Sequence, residues 1–495
     1  MRKIVFDSRI KKGRIWNVKD VISKFHFGDK DSPWNKGVEE TTEFWIDDFV
    51  YEGFCSHGKE FLKALEGRFA IVYDDPVQQR IFLARDWIGE MPFHYLVTKT
   101  GFYFGNTINA IKDDAEHQFL YEDVRAFPQS YFHIIDKKYL DEGNIDAAFR
   151  TGKRKLYYDF EDDVLEKVNE QLDLKTYDFT QLAPILKNAI KNRATKNPDG
   201  MNYLLLSGGL DSLSIAVAMK DAGVPFETFT LTVDDKLGEA GVASMFSKKL
   251  GVKHHLVNIT TEEIIKNYGE AVWVSETYHL YNVYCTVGML LLGEKLSELG
   301  IKSAFCGEAM NEAVGDYKDW SVYNPILRKN VLIQKINTEK LQGIAERILY
   351  VHGHTSDDGK YNRQLGTGLA KHAGARMIKP FMKNGLELEC PYYEHDFLSS
   401  IVALTPEQLN QIGYKPGLLW RIFQNDFTRY GFDEEQIMHC KKIRFQVATE
   451  NGEYGISSVL ITTGFDQEKT LSIFNSIFNS GYNVKVKSEK LLCTE

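Results

Sequence analysis

The hexapeptide SGGLDS at residues 207–212 is the feature that most constrains the fold, because it separates two segments of different periodicity. Residues 203–206 before it form a short apolar run typical of a buried strand, and residues 213–222 after it have helical spacing. A glycine-rich turn from a strand into a helix presents free backbone N–H groups at the positive helix end, where anions bind. The hexapeptide therefore predicts a phosphate-binding loop in an α/β domain.

The segments that follow the hexapeptide alternate between strand and helix patterns. Residues 226–233 read as a strand, 241–250 as a helix and 255–257 as a further strand. This alternation predicts a parallel sheet with crossover helices. The rest of the chain reads mostly as helices, for example at 341–349 and 406–412, which predicts a helical lobe beside the sheet.

The first part of the chain has a different pattern, in which turn residues separate short strands. The candidate strands lie at residues 70–73, 80–83, 93–96 and 101–104. Such regular spacing predicts hairpins in a β-sandwich or a layered sheet. An acidic, aromatic segment at 156–178 shows no strand pattern and marks the joint. We therefore predict one domain over residues 1–165 and a second over residues 175–495.

Composition limits the classes of partner. The net charge of −9 and the pI of about 5.9 argue against a nucleic-acid-binding surface. The longest apolar run, residues 283–292, is shorter than the roughly 18 residues that span a bilayer and reads as a buried helix. The six cysteines include no CxxC pair, which predicts reduced thiols. We expect a cytoplasmic protein with no nucleic-acid or membrane partner, and a homo-oligomer is left open.

The side chains of the hexapeptide suit a magnesium-bound polyphosphate. Gly208 and Gly209 allow the backbone to approach phosphate oxygens closely. Ser207 and Ser212 offer hydroxyl donors, and Asp211 offers a hard oxygen ligand to Mg²⁺. The chain contains neither GxxxxGK[ST] nor GxGxxG, so a kinase-like or dinucleotide interpretation has no support. The alternative is an ordinary glycine turn after a strand.

Further segments resemble the asparagine synthetase and β-lactam synthetase family. The hexapeptide resembles the pyrophosphate loop of N-type ATP pyrophosphatases, which cleave ATP to AMP and PPi. Residues 65–70 and 83–93 resemble the glutaminase-type domain of this family. Residues 307–312 resemble its G-E-G-x-D-E loop, and residues 385–392 its G-x-E-x-R-x-P-F segment. The resemblance implies an Ntn-hydrolase-like layered first domain, followed by an adenine nucleotide α-hydrolase-like second domain.

The same resemblance implies ATP and Mg²⁺ as cofactors. It places Leu205, Ser207 and Val233 in the adenine and ribose pocket. The complete set of implied nucleotide-binding residues is Leu205, Ser207, Gly208, Gly209, Asp211, Ser212, Val233, Gly307 and Glu308. An acidic loop at 234–239 follows the strand that ends at Val233, at the sheet edge where ligands of open α/β folds bind. Its side chains suit a solvated surface as well as a binding role.

The sequence departs from the family at three positions. Glutamine-dependent members expose a cysteine after methionine removal, whereas this chain has Arg2, and its first cysteine is Cys55. We expect Cys55 to be a small buried side chain without a catalytic role. Asn311 replaces an aspartate that binds metal in the family, so the implied metal ligands are Asp211 and Asn311. Glu389 stands where the family has an arginine.

The lactam-forming branch of the family implies three catalytic residues. Glu387 matches a glutamate that, together with a tyrosine, deprotonates the attacking amine. Tyr350 is the tyrosine nearest to it in chain order, with Tyr361 as the next, and either residue could instead serve packing. Lys442 lies in the basic segment 441–445, which resembles a late loop that closes over the site. A basic surface turn is the alternative for Lys442.

These features favour a ligase that activates a carboxylate as an acyl-adenylate and joins it to nitrogen. Because the first domain lacks the early cysteine, we expect the nitrogen to come from an amine on the substrate, a small molecule or peptide. Two alternatives remain. One is an ammonia-dependent asparagine synthetase, and the other is a nucleotide-binding scaffold whose catalysis is weakened by Asn311.

Overall fold

The computed structural model describes much of both predicted domains. The described residues are 2–3, 51–141, 154–169, 174, 176–315, 342–352, 369, 374–440 and 455–479, apart from gaps at 52, 64, 66–67, 76, 98–101, 110, 112–118 and 195–196. Within these ranges no helix combines the length and the apolar character that crossing a membrane requires.

The first part of the chain forms two antiparallel sheets. Its strands are β1 (Arg2–Lys3), β2 (Ala70–Asp75), β3 (Arg80–Arg85), β4 (His94–Val97), β5 (Phe102–Gly105), β6 (Arg125–Ala126), β7 (Tyr131–Asp136) and β8 (Lys155–Leu156). One sheet has the order β1-β2-β3-β7-β8 and the other has the order β5-β4-β6. Every neighbouring pair is antiparallel. The four strands predicted from regular spacing correspond to β2, β3, β4 and β5, so this prediction is confirmed.

Strands β2 and β3 contribute to two hydrophobic cores at once. Successive side chains of a strand point to opposite faces, so alternate residues enter different cores. Tyr73 and Phe82 belong to a core shared with the second part of the chain. Val72 and Leu83 belong to another core, which contains Phe93 just before β4. The first sheet is therefore buried on both faces, with the second antiparallel sheet against one of them.

The second part of the chain contains the parallel sheet that the strand–helix alternation predicts. Its strands are β9 (Asn202–Leu205), β10 (Phe226–Val233), β11 (His254–Ile259), β12 (Ser303–Phe305) and β13 (Glu387–Glu389). They lie in the order β11-β10-β9-β12-β13, and all neighbours are parallel. Along the chain, β10 and β11 are added on one side of β9, and β12 and β13 are then added on its other side. The boundary between β9 and β12 is thus a topological switch point, where open α/β sheets bind ligands.

Eighteen α-helices have both of their bounds within the described residues. They are α1 (Lys59–Lys63), α2 (Lys137–Asp141), α3 (Phe160–Asn169), α4 (Leu182–Arg193), α5 (Leu210–Asp221), α6 (Glu239–Leu250), α7 (Thr261–Lys266), α8 (Tyr268–Ser275), α9 (Leu280–Glu298), α10 (Met310–Val314), α11 (Gln342–Val351), α12 (Lys379–Lys383), α13 (His395–Val402), α14 (Pro406–Gln411), α15 (Tyr414–Arg429), α16 (Glu434–Met438), α17 (Ile456–Thr462) and α18 (Gln467–Phe478). Helix α9 contains the apolar run that was expected to be a buried helix, and all ten of these residues are buried.

One local expectation needs correction, and the segment predicted to be the joint holds a helix that we did not predict. The predicted joint contains α3, in which Phe160 and Val164 are buried one helical turn apart, so the acidic segment is an amphipathic helix. Cys55, which we expected to be buried, is exposed. The rings of Tyr51 and Phe54 occupy the face that packs on the first sheet, at centroid distances of 4.2 Å to Tyr73 and 4.6 Å to Phe82. The predicted domain boundaries at residues 165 and 175 stay predictions.

Buried polar contacts connect the two parts of the chain. Glu276, at the end of α8, is 2% exposed and forms an ion pair with Lys379. Its Oε1 atom accepts hydrogen bonds from the backbone N and the side-chain Nδ2 of Asn109 in the first part, at 3.0 and 3.2 Å. A buried charge of this kind is tolerated only when its partners are correctly placed. The contact therefore fixes the relative position of these two segments.

Candidate active site

The hexapeptide forms a closed turn between β9 and α5. Ser207 donates its backbone N–H to Ser212 Oγ at 3.1 Å, and the two hydroxyl oxygens are 3.2 Å apart. Gly208 has a φ of 73°, in the left-handed region that glycine adopts without a steric cost. Helix α5 starts at Leu210, three residues earlier than predicted, so Asp211 lies in its first turn. The loop presents the helix N-terminus at the switch point, as an anion-binding turn requires.

The segment 307–312, which follows β12, packs directly on the start of α5. A Cβ atom at Gly307 would lie 2.8 Å from Ser212 N, so only glycine fits at this distance. Ala309, two residues later, has a φ of 107° and precedes α10. A side chain in this conformation typically costs about 1–3 kcal/mol, and such strain concentrates at functional sites. The close packing brings Asn311, on α10, toward the hexapeptide.

Asp211 and Asn311 converge on the ammonium group of Lys415. Lys415 Nζ is 2.9 Å from Asp211 Oδ2 and 2.6 Å from Asn311 Oδ1. Lys415, on α15, is only 5% exposed, so its charge needs a buried partner. Asp211 supplies that negative charge, and the neutral amide of Asn311 adds a dipole. The two predicted metal ligands therefore face one common point that already holds a cation.

The donor atoms at this point also suit a divalent cation. Asp211 Oδ1 is buried and has no hydrogen-bond partner within the described part of the chain. A carboxylate oxygen and an amide oxygen are hard ligands of the type Mg²⁺ prefers, with phosphate oxygens and water completing its shell. Glu308 and Glu312, in contrast, form ion pairs with Arg376. Among the polar side chains of the segment 307–312, that of Asn311 is thus the one directed at Asp211.

The predicted nucleotide pocket lies at the carboxyl ends of neighbouring strands. Leu205 ends β9 and Val233 ends β10, and the two strands are directly paired. In the acidic loop that follows, Asp234 accepts hydrogen bonds from the backbone N and Oγ1 of Thr261, at 2.9 and 2.7 Å. These bonds lower the pKa of Asp234. Asp234 therefore has a structural role at the start of α7, and both Asp234 and Asp235 are exposed.

Glu387, the predicted general base, is the first residue of β13 and is next to β12 in the sheet. Its Oε2 atom is 3.2 Å from Arg68 Nη2, and its side chain is 30% exposed. Arg68 precedes β2 in the first part of the chain, so a first-domain guanidinium contacts a predicted catalytic carboxylate. Glu389 lies two residues after Glu387 in β13 and on the same face of the strand. Its Oε1 atom is 3.6 Å from Arg68 Nη2.

The structure does not test two of the predicted catalytic residues. Tyr350 lies on α11, but its side chain is outside the described residues, as is Tyr361 altogether. Lys442 lies in the segment 441–454, which is also outside them. The last described residue before that segment, Cys440, donates its thiol to Gly208 O at 3.7 Å. Cys440 therefore lies beside the hexapeptide.

Sequence reasoning missed Lys415, Arg68 and Arg376. Lys415 carries no motif, and it directly follows Gly413 and Tyr414, both at positive φ, at the start of α15. Arg68 lies within a recognised segment, but nothing in that segment indicates a partner in the other domain. Only the Glu389 departure was a signal, because a carboxyl group buried where the family has an arginine needs a polar partner from elsewhere.

The sheet topology, the hexapeptide and the similarity to known proteins together identify the protein family. A parallel sheet with a glycine loop at its switch point, combined with layered antiparallel sheets, defines a two-domain protein of the asparagine synthase architecture. Residues 181–455 match the family described as asparagine synthase, and residues 13–113 match the glutamine amidotransferase domain. The chain belongs to the asparagine synthase family, whose members are ATP-dependent carbon–nitrogen ligases that release AMP.

Individual relatives are distant in sequence. The chain is 25% identical over 380 residues to the glutamine-hydrolysing asparagine synthetase of Rattus norvegicus, with 73% of this chain and 60% of that protein covered. It is 26% identical over 381 residues to the Homo sapiens protein, with the same coverage. It is 28% identical over 273 residues to asparagine synthetase 2 of Arabidopsis thaliana, with 53% and 42% covered. The chain therefore spans between 42% and 60% of the length of these relatives.

Proposed function

We propose that this chain is an ATP-dependent ligase that forms an amide or lactam bond through an acyl-adenylate, with release of PPi and then AMP. The nitrogen in this proposal comes from an amine on the substrate. The observation that carries the proposal is the convergence of Asp211, Asn311 and Lys415 beside the hexapeptide at the switch point. Such a point can hold the polyphosphate of ATP while the α-phosphate faces the substrate carboxylate.

Each part of the hexapeptide site has a task in this proposal. The backbone N–H groups and the hydroxyl groups of Ser207 and Ser212 bind the phosphates. Asp211 Oδ1 and Asn311 Oδ1 would hold Mg²⁺, which when bound stabilises the negative charge of the departing pyrophosphate. Lys415 supplies a further positive charge at the same point. We also infer an Ntn-hydrolase-like layering for the first domain and an adenine nucleotide α-hydrolase-like layering for the second.

Glu387 and Lys442 belong to the second half of the proposed reaction. The Glu387 carboxylate, whose side chain is 30% exposed, can accept a proton from the amine that attacks the acyl-adenylate. Lys442 would neutralise charge that develops in the transition state, and the position of Cys440 beside Gly208 supports a late segment near the phosphates. Tyr350 remains the proposed partner of Glu387.

The nitrogen source is proposed from the chemistry of the first domain. Cys55 is the single cysteine between residues 13 and 113, which match the glutamine amidotransferase domain. Its nitrogen is part of a peptide bond, so it has no free α-amine to act as base in glutamine hydrolysis. We expect incubation with glutamine to release no glutamate above background. Steady glutamate release that Cys55→Ala abolishes would show that the first domain hydrolyses glutamine.

ATP–PPi exchange tests the proposed adenylation directly, because it requires the acid but not the amine. We expect one class of carboxylate, screened as a library that includes amino acids and peptides, to stimulate exchange in the presence of Mg²⁺. Exchange with L-aspartate, followed by asparagine formation when ammonium chloride is added, would instead identify an ammonia-dependent asparagine synthetase. Absence of exchange with every acid, while Mg-ATP still binds, would favour the nucleotide-binding scaffold.

A further inference from the structure

Arg68 is a first-domain residue whose guanidinium lies against the second-domain sheet. It lies two residues before Ala70, the first residue of β2, and is only 3% exposed. Its Nη1 atom donates a hydrogen bond to the carbonyl oxygen of Leu388 at 2.7 Å. Leu388 is the central residue of β13, which is the edge strand of the parallel sheet. The first domain therefore holds the backbone of this edge strand.

The same guanidinium contacts the residues on both sides of Leu388. Its Nη2 atom is 3.2 Å from Glu387 Oε2 and 3.6 Å from Glu389 Oε1. Residues two apart in a strand point to the same face, so one planar guanidinium can reach both carboxylates. The rigid fork of arginine fixes the direction as well as the distance of such contacts. Arg68 thus restrains the strand and the two carboxylates together.

Arg68 lies in a buried cluster with a second guanidinium group and three carboxyl groups. Glu90 is 1% exposed and accepts hydrogen bonds from Arg193 Nη1 at 3.1 and 3.2 Å, while its Oε1 lies 3.8 Å from Arg68. Burial raises the pKa of Glu389 to about 8, although Arg68 opposes this shift. Glu389 therefore holds a proton at neutral pH. The guanidinium groups of Arg68 and Arg193 thus face the carboxyl groups of Glu90 and Glu387.

We propose that Arg68 is a positioning residue of the ligase site, through which the first domain holds Glu387 in its working orientation. The proposal rests on the proposed function, because it assumes that Glu387 acts on the amine. It also accounts for Glu389, which stands where the family has an arginine. The guanidinium at this place comes from Arg68 in the other domain, and Glu389 contacts it. The first domain then serves the second without hydrolysing glutamine.

The first experiment separates the two half-reactions in Arg68→Met. With the acid that gives the most ATP–PPi exchange, exchange should change little, because the hexapeptide site is intact. Amide formation should fall by about 10²-fold, the typical effect of misplacing a catalytic group by 1 Å. Arg193→Met is the matched control, since it removes a buried guanidinium from Glu90 and retains the contact between Arg68 and Glu387. An equal loss of both half-reactions in Arg68→Met would overturn the proposal.

A charge relocation distinguishes positioning from general destabilisation. Glu389→Arg alone should lower the midpoint of thermal unfolding, because it places two buried guanidinium groups together. Combined with Arg68→Met, Glu389→Arg restores one guanidinium group beside Glu387, now carried by β13 and not by position 68. The double variant should therefore recover much of the amide formation that Arg68→Met loses. Additive losses in the double variant would contradict the proposal.

A third measurement needs no activity, so it remains decisive if the proposed function fails. Thermal unfolding midpoints of Arg68→Met, Glu387→Gln and their combination form a double-mutant cycle. We expect Arg68→Met to lower the midpoint clearly less when Glu387 is already glutamine. A full, unchanged decrease would show that the two side chains do not interact and would overturn the inference. Coupling without any exchange activity would leave the contact established and refute only the proposed reaction.

Discussion

The hexapeptide and strand β13 both border the candidate site, yet they are held in place by contacts of very different range. The hexapeptide is closed by its own residues, since Ser207 and Ser212 are five positions apart. Strand β13 is held by Arg68, and the residues joined by that hydrogen bond are 320 positions apart. The first arrangement is a property of a short segment, whereas the second exists only when both domains are folded together.

This difference divides the proposed reaction between the domains. In the proposed reaction the hexapeptide binds ATP through its phosphates, so adenylation should depend on the second domain alone. Contacts at β13 involve Glu387, so the attack of the amine should depend on both domains. Substitutions at the two regions are therefore expected to affect different half-reactions.

Asp211→Ala should have the largest effect and should be confined to the hexapeptide region. It removes a predicted Mg²⁺ ligand, so Mg²⁺-dependent ATP–PPi exchange should be abolished. It also leaves the buried Lys415 ammonium without its carboxylate, and breaking a buried pair in this way typically costs about 3–5 kcal/mol of unfolding free energy. Urea denaturation together with exchange assays measures both effects.

The double variant Asp211→Ala with Lys415→Met provides the control for this result. It removes both charges, so the unfolding free energy should recover while exchange stays absent. Substantial exchange in either variant would show that Mg-ATP binds elsewhere and that the hexapeptide does not carry the first half-reaction.

Lys442→Ala should reduce turnover without weakening ATP binding. The loss of one donor to developing negative charge typically costs about 10²–10³-fold in rate, or about 2.7–4 kcal/mol. Calorimetric titration of Mg-ATP, paired with single-turnover PPi release, separates binding from chemistry. If Mg-ATP binding weakens as much as the rate, Lys442 is a ground-state phosphate contact and belongs with the hexapeptide.

Asn311→Asp should lower the Mg²⁺ concentration needed for half-maximal exchange. The substitution adds a negative charge 2.6 Å from the point now held by Lys415, where Mg²⁺ is expected to bind. Asn311→Leu is the matched control, because it removes the oxygen ligand and should raise the requirement. Equal Mg²⁺ dependence in all three proteins would place Asn311 away from the metal.

Glu389→Gln should have a smaller effect, visible in the pH dependence of stability. The pKa of Glu389, about 8, lies above its ordinary value, so the folded chain keeps a proton that the unfolded chain has released. Stability is therefore lost as pH rises toward 8, by at most about 1.4 kcal/mol per pH unit from this group. Glutamine at position 389 cannot ionise, so the decrease between pH 5 and 8 should be shallower.

Asp86 and Glu394 serve as internal references in that experiment. Burial raises the pKa of both carboxyl groups, to about 6 for Asp86, so each contributes a decrease of the same sign in wild type and variant. The difference between the two proteins then reports Glu389 alone. Parallel curves would mean that Glu389 is already ionised at neutral pH, and that the cluster around Arg68 carries a net negative charge.

The sequence predicted those features that depend on short segments. Strand Phe226–Val233 agrees with its predicted bounds, and the hexapeptide lies between a strand and a helix as its glycines require. The convergence of Asp211 and Asn311 follows from two motifs at the ends of adjacent parallel strands. That these two strands are adjacent could not be predicted, since spacing alone does not determine strand order.

Features that depend on long-range packing could not be predicted in the same way. Lys415 reaches Asp211 across 204 positions, and a lysine at the start of a helix gives no sign of such a partner. Helix α3 was missed because its acidic exposed face hid the buried spacing of Phe160 and Val164. Cys55 is exposed because neighbouring aromatic rings pack better on the sheet than a small thiol does.

In the proposed reaction this chain transfers AMP to a carboxylate, and an isotope experiment can follow that transfer. The acid that gives the most ATP–PPi exchange, labelled with ¹⁸O in its carboxylate, is incubated with enzyme, Mg-ATP and an amine until AMP accumulates. An acyl-adenylate requires one carboxylate oxygen to leave with the phosphate, so mass spectrometry should find ¹⁸O in AMP. Label in inorganic phosphate with ADP as the nucleotide product, or AMP without label, would show that the chain does not transfer AMP to the carboxylate.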